Sequence, residues 1–218
     1  MFAKKNTWLA FLILITTPVF FAFQAIVETG SQMNTTRTMT FAGQKYLVDK
    51  KESVVTWTGT MALAGKGAHT GFVYLSKGEL AMENGQLVGG SVEMDMSTIT
   101  DKVHGSDNNL IHHLKDPDFF DVKKFPTSAF AITKVVPTEG GMVNVTGNLT
   151  VKGITNEVTF PAKTELKGGV LNATGNLTID RTRWDVRYKS GKFFAVLADE
   201  AIADEIRFEM KIVAIAIK

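Results

Sequence analysis

The chain contains no cysteine, which excludes disulfides, a thiolate nucleophile, a Cys-ligated metal and a lipidated N-terminal cysteine. Its fold must therefore hold by packing alone. No lysine/arginine run and no low-complexity tract occurs, so neither a nucleic-acid arm nor a disordered tail is expected and no nucleic-acid partner is implied. Catalytic signatures are missing too. There is no G-x-S-x-G elbow, phosphate loop, dinucleotide fingerprint or H-E-x-x-H pair, and Ser91 sits in a strand pattern with no base assigned to it. No cofactor is expected, and the absences speak against an enzyme.

What is present suits a globular body. Of 218 residues, 44% are apolar, 21% charged and 10% aromatic, enough for one domain with a sizeable core. Of 24 basic residues, Lys4 and Lys5 belong to the N-terminal leader, and the remaining 22 face 22 acidic ones. The body is neutral. Behind the two lysines, Thr7 to Val27 carries no charge, as an apolar core follows a positive start in an export signal. Residues 1–27 are thus expected to be a signal peptide or an N-terminal membrane anchor. The bulky Phe23 before a cleavage position at Ala25 disfavours removal, whereas about twenty apolar residues also suffice to span a bilayer, and both outcomes stay open. The expected location is periplasmic or otherwise extracytoplasmic, soluble if the leader is cleaved and held at the inner membrane if not. Residues 28–44, polar and Thr-rich from Gln32 to Gly43, read as a linker, and 45–218 as the folded domain.

From Tyr46 onward apolar residues recur at period two and Gly-containing turns punctuate them, the pattern of strands. Asn84-Gly85 has the composition of a type I′ hairpin turn. An internal echo is the clearest signal: Val143 to Val151 (VNVTGNLTV) is answered by Leu171 to Ile179 (LNATGNLTI), with odd positions apolar and even positions polar in both. Each strand therefore has one dry face, on which Gly147 and Gly175 permit a bend or leave room for something else. The Asn-x-Thr matches at Asn144, Asn148, Asn172 and Asn176 follow from the wet-face alternation. The final run from Ile206 becomes apolar on both faces, as in a central or covered strand. About eight to ten strands with one helix predict a barrel or sandwich.

That helix lies between Met96 and Thr127. Ser106 or Asp107 can cap it, Leu110, Ile111 and Leu114 give it an apolar side, and Asp116-Pro117 stops it. Around it His104, His112, His113, Asp116 and Asp118 gather imidazoles and carboxylates able to bind a divalent ion that activates water. Adjacent His112 and His113, however, diverge by about 100° on a helix, and a solvated helix end explains them as well.

In order along the chain, the residues His69-x-Gly71-Phe72, Asp107 with Leu-x-x-His113-Leu114, Asp118-Phe-Phe-Asp121, Phe125-Pro126-Thr127, Gly147-x-Leu149-Thr150-x-x-Gly153-Ile154-Thr155, Asp180-Arg181 and Ala203-Asp204-Glu205-Ile206 resemble the YceI-like, or polyisoprenoid-binding, family of bacterial envelope proteins. The resemblance runs from about Lys45 to Lys218. It implies a lipocalin-like closed antiparallel barrel of about eight strands, all-β with one short helix, whose apolar pore holds the tail of a polyisoprenoid or isoprenoid quinone. It implies binding, not catalysis. The sequence departs from the family pattern at Trp184-Asp185, where Phe-Gly is usual, and the stretch Lys102 to Gly105 is longer than usual.

Such a ligand needs apolar wall area and a few polar groups. Phe72, Phe119, Phe120, Phe130, Trp184, Phe193 and Phe194 are candidate wall or mouth residues, and His69 joins them. Any one of these aromatics is explained as ordinary core; the set carries the reading. Arg181 is a candidate for a polar or pyrophosphate head group, against an ion pair with a nearby carboxylate. Arg183 and Arg187 would share its face on a strand and make a basic mouth. Two other functions compete: a metal-assisted hydrolase built on the His112, His113 and Asp116 cluster, and an adaptor barrel with a filled interior. The expected partners are an isoprenoid lipid and, through an uncleaved leader, the membrane; a homodimer is left open.

Overall fold

A computed structural model describes residues 43–63, 67–195, 197 and 200–217. The leader at 1–27 and nearly all of the 28–44 linker lie outside the described residues. Nine strands form the body: β1 (Gln44–Val48), β2 (Val54–Met61), β3 (Ala68–Glu83), β4 (Gln86–Asp101), β5 (Thr127–Pro137), β6 (Met142–Val151), β7 (Ile154–Lys167), β8 (Val170–Asp180) and β9 (Ile202–Ala216). One helix, α1 (Asn109–Lys115), separates β4 from β5.

All strand pairs are antiparallel, and β4 pairs back onto β3, so β3, β2, β9, β8, β7, β6, β5 and β4 close into a ring of eight. Closure removes the unpaired edges that an open sheet exposes. The ninth strand adds no position to the ring. β1 pairs with β3 and β9, the same neighbours as β2, so β1 and β2 are one strand position broken at Asp49 to Ser53. Asp49 Oδ1 accepts from the backbone N–H of Lys51 and Glu52 at the break. Ser53, fully buried, donates through its hydroxyl to the Val213 carbonyl and accepts from the Val213 N–H, which ties the break to β9.

Tight turns keep neighbouring strands in register. Asn84 and Gly85 both have positive φ, as a type I′ hairpin requires, and Lys152-Gly153 and Gly168-Gly169 repeat the device on either side of β7. The echo strands β6 and β8 flank β7, and the odd positions of β6 point into the barrel as its alternation predicts. At Gly147 the structure decides what the dry-face glycine is for. A Cβ there would lie 2.4 Å from the Phe130 ring and 2.5 Å from the Ala131 carbonyl oxygen. The missing side chain makes room for a neighbour's phenylalanine. Gly175 does the same for Phe160, 3.0 Å from a built Cβ, and the two rings meet with centroids 5.5 Å apart. Gly147→Ala is expected to cost about 1–3 kcal/mol of stability through overpacking, whereas Gly175→Ala, opposed only by side-chain tips, costs less; urea unfolding midpoints of the two variants check the order.

The covered run in β9 holds for Ile212, Val213 and Ala214, all buried with β8 on one side and the β1–β2 break on the other; beyond it Ile215 and Ile217 are exposed. The cap of α1 differs from expectation. Asn108, not Ser106 or Asp107, accepts the Ile111 N–H at 3.1 Å, because the chain stays non-helical for one more residue. Ile111 and Leu114 are the buried side of α1. A second correction concerns Arg181 to Trp184, which form a 3-10 turn rather than a strand. Arg181, Arg183 and Arg187 consequently share no face and make no basic mouth. The connections carrying α1 and this turn, β4 to β5 and β8 to β9, lie at the same end of the ring.

Candidate functional site

The barrel interior holds a cavity of about 320 Å³, partly open to solvent, within the size range of small-molecule sites and far larger than the voids that ordinary packing leaves. Period-two alternation builds its walls: inward positions such as Val55, Leu80, Met94, Val145, Phe160, Leu177 and Phe208 come from seven strands of the ring and from the inner face only. Leu110, His113 and Leu114 of α1, with Phe119, Phe120, Trp184 and Val186, close one end. The polar wall groups Thr60, His69, His113, Ser128 and Arg181 lie toward this end, and Thr174 of β8 lies farther along the wall. The far end carries Leu80, Leu87 and Ile212. The site thus has an apolar depth and a polar cap.

Of the nine candidate ligand contacts, Phe119, Phe120, Phe130, Trp184, Arg181 and His69 reach the cavity. Phe72, Phe193 and Phe194 do not. Phe72 shares its strand with Gly71 and Val73, which take the inward positions, so alternation turns its ring to the outer face. Phe193 and Phe194 sit exposed in the segment between β8 and β9, with the Arg187 guanidinium over the Phe193 ring. His69 is a rim residue, its ring facing Asp101.

Arg181 is a structural clamp rather than a head-group anchor. It is 1% exposed, and its guanidinium donates to the carbonyls of Ala203, Val186 and Ile202 at 3.0, 2.8 and 3.1 Å. Asp204 lies 3.6 Å away, and the Phe119 ring lies beneath it. Burial pulls its pKa down while Asp204 and Asp180 push it back up, and the group stays charged. Trp184 is held similarly, donating from Nε1 to the Leu149 carbonyl at 3.0 Å. Asp185 follows with φ 59, the left-handed conformation that suits glycine best and that aspartate tolerates. The departure from Phe-Gly thus preserves the turn.

The metal-centred alternative loses part of its ligand set. His112 turns outward to Asp107 at 2.8 Å, as the divergence of adjacent helical histidines requires, and His104, in the turn after β4, lies against Asp101 at 3.1 Å. His113, Asp116 and Asp118 do come together, with ligand atoms within 4.8 Å of one another. The two carboxylates are exposed and the imidazole half-buried. His113 packs edge-on against Tyr188 and Phe119.

Asp101 shapes the approach to α1. Burial alone would raise its pKa, but the backbone N–H groups of His104 and Val103 and the rings of His69 and His104 hold it below the ordinary carboxylate value. A lowered folded value means that this contribution to stability is present above about pH 4, the unfolded carboxylate's pKa, and disappears as pH falls through the lower folded one. Acid titration of unfolding should therefore show a loss below about pH 4 that Asp101→Asn flattens.

Two aromatic wall residues with a clear role were absent from the candidate set. Phe160 and Trp57 both face the cavity, and the alternation Val55, Trp57, Gly59 carries the signal for the second. The Trp57 indole lies against Gly71, where a built Cβ would come within 2.5 Å of the ring. Its Nε1 is buried without a hydrogen-bond partner, as is Nε2 of His113.

An eight-position antiparallel barrel around an apolar cavity, capped by one helix, places the chain with the lipocalin-like barrels. The chain belongs to the YceI-like family, whose domain model matches residues 46–214. It is 46% identical over 50 residues to a UPF0312 protein of Pseudomonas putida, a match spanning 23% of this chain and 26% of that protein. Among solved structures it is similar to Burkholderia cenocepacia BcnA, with 24% identity, a TM-score of 0.64, and coverage of 77% of this chain and 99% of BcnA. It also resembles a polyisoprenoid binding domain from Saccharophagus degradans implicated in plant cell wall breakdown, at 10% identity and a TM-score of 0.60, covering 79% of this chain and 98% of that domain. At these identities the structural likenesses speak for the fold.

Proposed function

We propose that this protein binds a polyisoprenoid or isoprenoid-quinone lipid in the barrel cavity and sequesters or carries it outside the cytoplasm. The single observation behind this reading is the 320 Å³ apolar cavity with most of its polar groups toward the helix-capped end. Burying an isoprenoid tail there gains on the order of 25 cal/mol per Å² before ordering costs. The likeness to a domain described as polyisoprenoid-binding supports the same ligand class. The uncharged run from Thr7 to Val27 supports export, with the leader removed or kept as an anchor.

The adaptor alternative requires a side-chain-filled interior, and the cavity counts against it. The hydrolase alternative keeps His113 with Asp116 and Asp118, whose ligand atoms lie within 4.8 Å of one another, but loses His112, which faces Asp107, and the apolar cavity favours binding over it. The reading is therefore of a binding protein rather than an enzyme. Native mass spectrometry of the full chain mixed with solanesol tests it: one lipid bound per chain is expected, and binding no greater than to a non-cavity control protein would contradict it.

A further inference from the structure

The cavity wall offers hydrogen-bonding groups that the fold itself leaves unused. Trp57 is 8% exposed, and its Nε1–H is buried without a partner in an otherwise apolar surrounding. Gly71 is the reason the indole can lie where it does, since any side chain there would meet the ring and the Thr100 carbonyl. An indole N–H only donates, and buried donors left unpaired are penalised, so this position calls for an acceptor from whatever fills the cavity. His113 Nε2, on the α1 cap of the same cavity, is a second buried atom without a partner, and an imidazole nitrogen takes either role. Its Nδ1 side faces Asp118 and Asp116 at 3.8 and 4.0 Å.

No cation stands ready for an anionic head. Arg181 is the one Lys or Arg among the described residues that line the cavity, and its donors already serve three backbone carbonyls beside Asp204. A diphosphate drawn into this wall would meet hydrogen-bond donors but no uncommitted positive charge, and its desolvation would go uncompensated.

Resting on the lipid-binding reading above, we infer that Trp57 and His113 are the polar subsite of the cavity, and that its ligand bears an uncharged oxygen acceptor such as a carbonyl rather than a phosphate. Trp57 donates to that oxygen. His113 meets the same or a neighbouring polar atom nearer the α1 cap.

The test compares three probes sharing a fifteen-carbon isoprenoid chain: farnesylacetone, farnesyl diphosphate and the hydrocarbon farnesane. With the full chain, farnesylacetone should bind roughly tenfold more tightly than farnesane, about what one buried hydrogen bond provides, and farnesyl diphosphate should gain no such margin. Trp57→Phe keeps an aromatic six-membered ring and deletes the donor. It should remove most of the ketone's margin over farnesane, a comparison in which the wall area lost to both probes cancels. His113→Leu should reduce the margin in the same way. Independently of any variant, the carbonyl infrared band of bound farnesylacetone should shift to lower frequency than in hydrocarbon solvent. Tightest binding by the diphosphate, or equal binding of ketone and hydrocarbon with an unshifted carbonyl band, would overturn the subsite while leaving the carrier reading intact. Failure of all three probes to bind would overturn both.

Discussion

Replacing Ala173 with tryptophan should abolish isoprenoid binding and leave the barrel folded. Ala173 lies on β8 between Leu171 and Gly175, in an inward register opposite Ile212 of β9 and Thr164 of β7, and its small side chain lines the cavity. An indole placed there occupies space that the ligand's tail needs. In a filled core such a substitution costs about 1–3 kcal/mol. Built into a cavity it buries new apolar area without displacing neighbours, and the stability change is expected between neutral and about 2 kcal/mol favourable. Binding of solanesol or farnesylacetone should fall by at least roughly thirtyfold, equivalent to about 2 kcal/mol. Ile215→Trp, at an exposed position three residues beyond Ile212, the last cavity-lining residue of β9, should leave binding unchanged. If the Ala173 variant bound as well as the native chain, the ligand would lie elsewhere.

Arg181→Met should be the most destabilising single change in the domain. Three backbone carbonyls lose their donors and Asp204 loses its nearest guanidinium, and breaking a buried charge pair by removing one member typically costs about 3–5 kcal/mol. For a domain of this size that corresponds to a fall in Tm of about 10 °C. Lysine cannot replace the planar fork, so Arg181→Lys should recover only a minor part of the loss. Asp204→Asn in the Arg181→Met background should recover some of it by removing the unpaired carboxylate, with Lys192 as that carboxylate's remaining partner. Thermal and urea unfolding of the three variants measure this. A loss below about 1 kcal/mol for Arg181→Met would contradict the role of Arg181 as a clamp.

Strand alternation made much of the fold legible, most clearly in the two echo strands, where each apolar position of Val143 to Val151 is an inner-wall or core position. It failed where both parities are apolar. In Phe72-Val-Tyr-Leu75 either set could face inward, and the bulges between β3 and β4 leave Val73 and Leu75 inside with Phe72 and Tyr74 outside. Trp57 was legible from its alternation with Val55 and Gly59, but threonines at the intervening positions make the segment resemble any half-buried strand. Arg181 could not be placed from sequence, because its three acceptors are backbone carbonyls five, twenty-one and twenty-two residues away and carbonyls carry no residue signature. The purpose of Gly147 and Gly175 was equally hidden. Each depends on which ring the adjacent strand brings over it, and register across strands is set by tertiary closure.

The central claim is that the cavity exists to hold an isoprenoid lipid, and it is tested most directly by what the protein holds when taken from its own cells. Mass spectrometry of an organic extract of the purified, undenatured full chain should find one apolar compound with an isoprenoid tail and an uncharged oxygen-bearing head, close to one molecule per chain. Extracts that repeatedly contain no isoprenoid, or contain only bulk membrane lipid in the proportions of the cell envelope, would contradict it.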